Sequence, residues 1–284
     1  MEEAIRKADV LIEALPYIKS FHKKVTVIKY GGSILGEDRV RKGVLEDIVF
    51  LSYMGLRPVL VHGGGPNISD RMRKSGKKTD FVEGMRVTDK ETLKIVEEEL
   101  DVLNKKIVRE LEELGGKAKS FTASKNCILT AEKKKSKVDL GLVGKATGLD
   151  TEQILKDISN HVIPVIGPMG KDANGVTYNI NADEVASFVA SALGAIKFVL
   201  LTNVKGIMRN MEEPNSLLAS IREDEAKQLI KEKVIQEGMI PKIEACFRAI
   251  DGGVKKAHII DAKIPHALLL EIFTDKGIGT EIAR

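Results

Sequence analysis

The sequence predicts an α/β fold, a three-layer αβα sandwich with a mainly parallel central sheet. Short apolar runs rich in β-branched residues alternate along the chain with longer amphipathic stretches. Runs of this kind are typical of parallel strands buried on both faces, and the intervening stretches are typical of helices. Right-handed crossovers between parallel strands place helices on both faces of the sheet. Ligands of such folds gather beyond the carboxyl ends of the strands, so the loops there are the candidate sites.

The size and composition favour an ordinary globular enzyme. The 284 residues include 43% hydrophobic and 30% charged residues, and no apolar run approaches the ~20 residues of a membrane span. The 45 basic and 41 acidic residues are mixed along the chain, so we expect neither nucleic acid nor membrane as a partner. The amino-terminal stretch lacks a secretory signal, which predicts a cytoplasmic protein. Cys127 and Cys246 have no metal-ligand spacing and are expected to be buried small hydrophobes.

Five strands of the sheet can be placed from the apolar runs, at residues 25–30, 57–62, 161–167, 197–202 and 257–261. Between the second and third of these, apolar residues recur every three or four positions from Leu93 to Leu111, which predicts a helix with one apolar face. Residues 127–150 mix short apolar pieces with charges and glycines, and they are interpreted as a β-hairpin.

Residues 1–22 are predicted to form an amphipathic helix ahead of the main domain, residues 23–284. Ala8, Leu11, Ile12, Leu15 and Ile18 form its apolar stripe, and Pro16 is expected to kink or end it. Periodicity leaves two packing partners open, the rest of this chain or another subunit. A lobe boundary is expected inside the sandwich, near residues 180–195.

Two glycine-rich turns directly follow predicted strands. Gly31 and Gly32 follow the first strand, while Gly63, Gly64 and Gly65 follow the second. Such turns let backbone N–H groups converge on an anion, and a helix amino terminus after them adds a favourable dipole. One turn alone is compatible with simple chain reversal, but two at adjacent strands favour a phosphate site. The common P-loop, dinucleotide, zinc-protease and nucleophile-elbow motifs are missing from the chain, which disfavours those enzyme classes.

Three charged residues are candidates for chemistry. Lys29 lies inside an apolar strand just before Gly31, and burying a lysine there is costly unless it meets an anion. Lys242 follows a turn that leads into a helix, and on its own it could be a solvated surface residue. Asp183 follows Asn181, a potential helix cap, so its carboxylate could serve the helix dipole or orient the two lysines.

Two further polar residues could bind a substrate. Arg86 lies in a glycine-containing loop, where its planar guanidinium could hold a carboxylate through two hydrogen bonds. An exposed Arg without function is the alternative. Asn179 precedes the Asn181 helix and could contact a substrate or contribute to capping.

These segments, in their order and spacing, resemble the amino acid kinase family over nearly the whole chain. The matching motifs are VIKYGGS, VHGGGPNIS, FVEGMRVTD, YNINADE, LLTNVKGI, EGMIPKIEA and LLEIFTDKGIGTEI. Within the family, the resemblance is to members that phosphorylate the γ-carboxylate of N-acetyl-L-glutamate for arginine biosynthesis. It implies the amino acid kinase or carbamate kinase-like fold, with ATP and a nucleotide-bound Mg²⁺ as cofactors and no metal held by the protein.

The resemblance also implies a role for each candidate residue. A substrate lobe at about 23–185 and an ATP lobe at about 186–284 would face each other across the site. Lys29 and Lys242 would stabilise the transferring phosphoryl group, with Asp183 organising them. Gly31 and Gly32 would bind phosphate. The substrate would be bound by Gly64, Gly65, Arg86 and Asn179.

The expected chemistry explains why a catalytic His or Ser motif is missing. A γ-carboxylate with a pKa near ~4.3 is ionised at neutral pH and needs no general base. Positive charge and backbone donors around the phosphoryl oxygens then supply the catalysis. Two alternatives remain open at this point: a sibling kinase for carrier-linked aminoadipate in lysine biosynthesis, and a catalytically silent amino acid sensor with the same fold.

The resemblance further implies regulation and assembly. The amino-terminal helices would pair dimers into a homohexamer, and arginine would inhibit from a site near this helix and the carboxyl-terminal segment. Glu271 is the candidate partner for the arginine guanidinium, with an ordinary surface carboxylate as the alternative. Asn203 and Lys205 replace acidic residues that are frequent near the nucleotide in the family, which leaves the details of nucleotide binding undetermined.

Overall fold

The computed structural model describes residues 1–210, 213, 215–235, 238–274 and 277–283. Three residues of the motifs quoted above, Glu237, Asp275 and Lys276, lie outside this described part of the chain.

The helices of the described residues are α1 (Glu2–Glu13), α2 (Leu15–Phe21), α3 (Asp38–Tyr53), α4 (Gly65–Lys74), α5 (Lys90–Glu113), α6 (Thr151–Ser159), α7 (Ala182–Ala192), α8 (Glu223–Lys231), α9 (Ile240–Asp251) and α10 (Ala267–Phe273). The strands are β1 (Val25–Tyr30), β2 (Arg57–His62), β3 (Phe81–Val82), β4 (Met85–Arg86), β5 (Lys117–Phe121), β6 (Leu129–Lys133), β7 (Gly144–Leu149), β8 (Val162–Ile166), β9 (Met169–Lys171), β10 (Thr177–Asn179), β11 (Lys197–Thr202), β12 (Ser220–Ile221), β13 (Lys256–Asp261) and β14 (Thr280–Ile282).

One eight-stranded sheet runs through the molecule in the order β12-β14-β13-β11-β1-β2-β8-β5. Every neighbouring pair in it is parallel except β13 and β14. All five strands predicted from the apolar runs are present, and three of them have the predicted bounds. The mainly parallel sheet of the prediction is therefore confirmed.

Helices cover both faces of this sheet, which confirms the three-layer sandwich. Because successive side chains of a strand point to opposite faces of the sheet, each strand contributes residues to two cores. On β1, Val27 packs in a core with α7 and α9, whereas Ile28 and Tyr30 pack in a second core with α3, α5 and α10. We call these sides of the sheet the α7 face and the α5 face.

The long helix predicted around Leu93 to Leu111 is α5. Asp89 caps it by accepting a hydrogen bond from the backbone N–H of Thr92. Leu100, Ile107 and Leu111 are buried along its inner side, as the periodicity predicts.

A second, four-stranded sheet holds the predicted hairpin. Strands β6 and β7 pair antiparallel within residues 127–150, and β9 and β10 extend the sheet. Of the two cysteines, Cys246 is buried as expected, but Cys127 is exposed. The prediction for Cys127 is wrong because this residue precedes β6 at the rim of the hairpin sheet rather than inside a core.

Pro16 divides the amino-terminal segment, as predicted. Helix α1 ends at Glu13, and α2 begins at Leu15 with the proline in its first turn, where no hydrogen-bonded N–H is required. The part of the apolar stripe on α1 is open, since Leu11 and Ile12 are each 68% exposed, whereas Ile18 on α2 is half-buried. No helix among the described residues is long and apolar enough to cross a membrane.

Candidate active site

A buried ion pair lies at the carboxyl end of β1. Val25, Val27 and Lys29 alternate on the α7 face of the sheet, so the strand itself aims the Lys29 side chain toward α7. Its Nζ atom lies 2.8 Å from Oδ1 of Asp183, and each side chain is less than a tenth exposed. Sequence reasoning placed an anion partner near Lys29, and in the structure a carboxylate fills that position.

Asp183 is held in the first turn of α7 by the cap that the sequence predicts. The Asn181 side chain accepts hydrogen bonds from the backbone N–H groups of Asp183 and Glu184, at 2.8 and 3.2 Å. Burial would raise the pKa of Asp183, but the ammonium groups of Lys29 and Lys242 outweigh burial and hold that pKa below its ordinary value. The carboxylate is therefore charged at neutral pH.

Lys242 reaches the same carboxylate from the opposite side of the site. It lies in the first turn of α9, directly after Pro241, and its Nζ lies 3.4 Å from Oδ2 of Asp183. Its side chain keeps a quarter of its surface exposed, unlike that of Lys29. One carboxylate thus fixes two ammonium groups, and the second of them remains accessible to a ligand.

Lys242 also lines a cavity of about 540 Å³ beyond the ends of β11 and β13. The cavity is mostly apolar with a polar rim, and its lining residues are Asn203, Val204, Lys205, Gly206, Ile207, Met208, Val234, Ile235, Gly238, Met239, Lys242 and Asp261. Asn203 and Lys205, which the family resemblance predicts to lie near the nucleotide, both line this cavity. An apolar cavity with a lysine ammonium at its edge suits a nucleotide.

The two glycine turns pack against each other beside Lys29. A Cβ on Gly31 would lie 2.8 Å from Lys29 Nζ, and a Cβ on Gly63 would lie 3.4 Å from the Gly31 Cα. The backbone N–H of Gly63 donates to the carbonyl of Tyr30 at 2.8 Å, which ties the two turns together. Gly32 has a φ of +83°, a conformation that favours glycine.

Gly64 and Gly65 open helix α4. A Cβ on Gly64 would lie 2.7 Å from Leu100 Cδ2, so this position accepts only glycine without a shift of its neighbour. A Cβ on Gly65 would meet nothing within 4 Å, and Gly65 is exposed. The open space over Gly65 lies at a helix amino terminus, where an anion is favoured.

Arg86 is buried, which excludes the exposed alternative. Its guanidinium donates to the Gly65 carbonyl at 3.1 Å and to Ser69 Oγ at 2.8 Å, and it lies over the ring of Phe81 at 4.7 Å. Burial lowers the pKa of Arg86, and the described residues that its guanidinium contacts, Met72, Gly65 and Ser69, offer it no carboxylate. A buried cation without an acidic partner suits an anionic ligand.

Asn179 is joined to Arg86 through a residue that sequence reasoning did not single out, Thr88. The Asn179 side chain donates to Thr88 Oγ1 at 3.2 Å, and the Thr88 hydroxyl donates to the Arg86 carbonyl at 2.7 Å. Thr88 is buried in the motif that carries Arg86, but its role depends on a contact with a distant strand. The periodicity of the chain contains no signal for such a contact.

The β3–β4 hairpin brings this region toward α9. A Cβ on Gly84, at the hairpin turn, would lie 3.8 Å from Pro241 Cγ. The turn of this hairpin therefore lies against the start of α9, next to Lys242, and Arg86 lies at the end of the hairpin.

Glu271 lies apart from this site, and the surface alternative for it is wrong. The residue is 5% exposed, and its Oε1 accepts from Lys197 Nζ at 2.8 Å and lies 3.2 Å from His258 Nε2. The Lys197 ammonium also lies over the ring of Phe21 in α2, 5.8 Å from its centre. Glu271 thus belongs to a buried cluster with Lys197 and His258, next to α2.

A scan against protein families matches the amino acid kinase family model to residues 24–261. Among curated proteins, the acetylglutamate kinase of Petrotoga mobilis is 47% identical over 283 residues, covering 99% of this chain and 95% of its own length. The acetylglutamate kinase of Methanocaldococcus jannaschii is 46% identical and covers 100% of this chain and 98% of its own length.

Solved structures of a longer protein also match. The N-acetylglutamate synthase of Neisseria gonorrhoeae, complexed with coenzyme A and N-acetyl-glutamate, superposes with a TM-score of 0.87 at 27% identity. The match covers 98% of this chain but 63% of the synthase chain. The same synthase complexed with coenzyme A and L-arginine gives a TM-score of 0.83 at 26% identity, covering 97% of this chain and 65% of that one.

Proposed function

This chain belongs to the amino acid kinase family, and on that premise we propose that it transfers the γ-phosphoryl group of ATP to the γ-carboxylate of N-acetyl-L-glutamate. Near full-length similarity to acetylglutamate kinases supports this substrate. The observation that carries the chemistry is the arrangement of Lys29 and Lys242 on the two oxygens of Asp183. The product is N-acetyl-γ-glutamyl phosphate, an intermediate of arginine biosynthesis.

The reaction needs positioning and positive charge rather than a base. The attacking γ-carboxylate is already ionised at neutral pH, so no proton has to be removed. Its attack forms a bond to phosphorus while the bond to the β–γ bridging oxygen breaks and ADP leaves. Lys29 and Lys242 stabilise the negative charge on the transferring group, and the backbone N–H groups near Gly31, Gly32 and Gly64 add hydrogen bonds.

The residues fit a magnesium ion that arrives with the nucleotide. Over the described part of the chain, no three His, Cys, Asp or Glu side chains are arranged to hold a metal, and Asp261 is the carboxylate lining the 540 Å³ cavity. Mg²⁺ commonly binds through substrate phosphates with few protein ligands. When bound, it would neutralise negative charge on the phosphates of the nucleotide.

Substrate and nucleotide occupy opposite sides of the central trio in this proposal. Acetylglutamate lies over Gly64 and Gly65, with its free carboxylate at Arg86 and its amide near Asn179. ATP lies in the cavity beside Lys242, with Asn203 and Lys205 at the rim. This assigns residues 23–185 to a substrate lobe and 186–284 to an ATP lobe.

Assembly and regulation form a second part of the proposal. The exposed stripe at Leu11 and Ile12 supports pairing of amino-terminal helices between dimers, which would give a homohexamer. The L-arginine in the related synthase structure supports arginine as a feedback inhibitor. The cluster of Lys197, His258 and Glu271 near α2 offers a carboxylate for its guanidinium. We place the enzyme in the cytoplasm, where ATP is available.

A coupled assay of ADP release tests the substrate directly. Acetylglutamate should give the highest kcat/KM in a panel that includes glutamate, N-acetylaspartate and carrier-linked aminoadipate. Hydroxylamine should trap the acyl phosphate as a hydroxamate. Higher kcat/KM with carrier-linked aminoadipate would assign the chain to a sibling kinase. Arginine binding without turnover of any acid would identify a sensor.

A further inference from the structure

Two polar side chains are buried directly behind the second glycine turn. His62 is the last residue of β2 and precedes Gly63, and its side chain lies on the α5 face with that of Leu60. Asn104 lies on α5, and both residues are 0% exposed. Polar groups in an apolar layer are costly unless they are hydrogen-bonded, so their partners indicate what they do.

The hydrogen bonds of this pair fix the tautomer of His62. Nδ2 of Asn104 lies 3.0 Å from the Val165 carbonyl and 3.0 Å from Nε2 of His62. A carbonyl oxygen only accepts, so the Asn104 atom facing it is the NH₂ group, and its second hydrogen points at Nε2. Nε2 therefore accepts, Nδ1 carries the proton, and Nδ1 donates to the Gly63 carbonyl at 2.9 Å.

Burial keeps the imidazole neutral. It lowers the pKa of His62 to about 4, with smaller opposing effects from the Gly63 carbonyl and Asp101. Protonation of Nε2 would also point an N–H at the NH₂ group of Asn104. At neutral pH the ring is therefore a fixed donor to Gly63.

This donor sets the direction of the Gly63–Gly64 peptide. No peptide bond of the described chain is cis, and in a trans peptide the C=O and N–H groups point in opposite directions. The Gly63 carbonyl points to the imidazole on the α5 face, so the Gly64 N–H points to the α7 face. Lys29 and Asp183 lie on that face. Among the described hydrogen bonds, none uses the Gly64 N–H.

We propose that His62 and Asn104 are positioning residues that hold the Gly63–Gly64 peptide with its N–H toward the transferring phosphoryl group. This role rests on the proposed kinase function. A peptide between two glycines can flip at low steric cost. The flipped peptide would present a carbonyl oxygen to the polyphosphate, which replaces an attractive donor by a repulsive acceptor.

Variants of Asn104 separate positioning from packing. Asn104→Leu removes the NH₂ donor at similar volume and leaves the His62 tautomer unfixed. Asn104→Ala removes the same donor and is used if the Leu variant does not fold. We expect kcat to fall roughly 10- to 100-fold, where 100-fold is about the smallest loss seen when an oxyanion donor is removed. The KM values for ATP and acetylglutamate should each change less than about threefold. Ile107→Ala, one turn along α5, is the control for lost packing.

The tautomer itself can be observed. Long-range ¹H–¹⁵N spectra of the protein labelled at its five histidines, with the His62 signals assigned from His62→Phe, should show the proton on Nδ1. A proton on Nε2 would overturn the proposal. So would Asn104 variants that lose thermal stability as Ile107→Ala does but keep full kcat. No turnover in the unaltered protein would overturn the kinase function and this role together, whereas normal turnover with unaffected variants would overturn the positioning role alone.

Discussion

The Nζ atom of Lys29 lies 2.8 Å from Oδ1 of Asp183 in a site closed to solvent on that side. Lys242 approaches the other oxygen of this carboxylate at 3.4 Å. Two positive charges and one negative charge leave the trio with a net charge of +1, beside the position that we propose for the polyphosphate. The carboxylate thus keeps two like charges close together without removing the attraction for a phosphoryl group.

Alanine at either lysine should abolish most of the activity. For Lys29→Ala and Lys242→Ala we expect kcat to fall at least ~100-fold, the loss typical of a strong transition-state donor. Lys227→Ala, which removes an exposed ion pair on α8, is the matched control and should keep normal kcat. Steady-state kinetics with saturating ATP and acetylglutamate measure this. Near-normal kcat in both active-site variants would contradict the assignment.

Removing the charge of Asp183 should affect both stability and rate. Asp183→Asn leaves the buried Lys29 without its counter-charge, and breaking a buried pair this way costs about 3–5 kcal/mol. We expect a lower urea midpoint and a lower kcat. Glu184→Gln is the control, because it removes a carboxylate in the same helical turn whose partner is the less buried Lys134. Equal midpoints for the two variants would show that the Lys29 pair is not a buried charge pair in solution.

The sheet could be predicted from the sequence because its strands are buried on both faces. Residues 25–30 and 197–202 read as continuous apolar runs, and their bounds match β1 and β11. The same reasoning singled out Lys29, since a charge inside such a run is unusual. The helix cap at Asn181 could also be predicted from the sequence, because capping depends on residues only two or three positions apart.

Contacts between distant segments could not be predicted in this way. Thr88 bonds to Asn179, and Asn104 bonds to His62, through pairings that only the folded chain creates. For Glu271 a surface carboxylate stayed open as the alternative, because its partners Lys197 and His258 belong to two separate strands. Sequence patterns over a few residues predict burial and turns, whereas these pairings depend on how helices and strands from distant parts of the chain pack together.

Alanine at the two glycines that open α4 should have contrasting effects. Gly64→Ala places a Cβ 2.7 Å from Leu100 Cδ2, so we expect a lower thermal midpoint together with lower activity. Gly65→Ala meets nothing in the free protein and should fold normally. If acetylglutamate lies over Gly65, this variant should raise KM for acetylglutamate about tenfold and leave KM for ATP unchanged. An unchanged KM for acetylglutamate would place the substrate elsewhere.

The amino-terminal stripe can be tested with single charges. Leu11→Glu or Ile12→Glu puts a carboxylate in the middle of the exposed apolar face, and desolvating it in an interface would be costly. We expect dimers in sedimentation velocity and at least tenfold weaker inhibition by arginine, with normal kcat. Deletion of residues 1–20 should do the same. Asp9→Ser, on the same helix outside the stripe, is the control, and hexamers that survive the deletion would contradict helix pairing.

The stability of the protein should depend on pH through His62. Its pKa is lowered from 6.5 to about 4 on folding, so between these values the unfolded state binds the proton and the folded state does not. The contribution of His62 to the free energy of unfolding is therefore fully present above about pH 6.5. It is lost as the pH decreases toward 4, which lowers that free energy by about 3 kcal/mol. His258, whose pKa burial lowers to about 2, acts in the same direction. His266 acts oppositely, because its hydrogen bond to Asp47 raises its pKa, but it is more than half exposed and should contribute less.

Urea unfolding at pH 7.0 and 5.0 measures this effect. His62→Phe should flatten the pH dependence relative to the unaltered protein, because the phenyl ring has no proton to bind. The comparison uses the difference between the two pH values within each protein, so a uniform loss of stability in the variant does not affect it. An undiminished pH dependence in His62→Phe would show that this imidazole is not the buried neutral group behind the glycine turn.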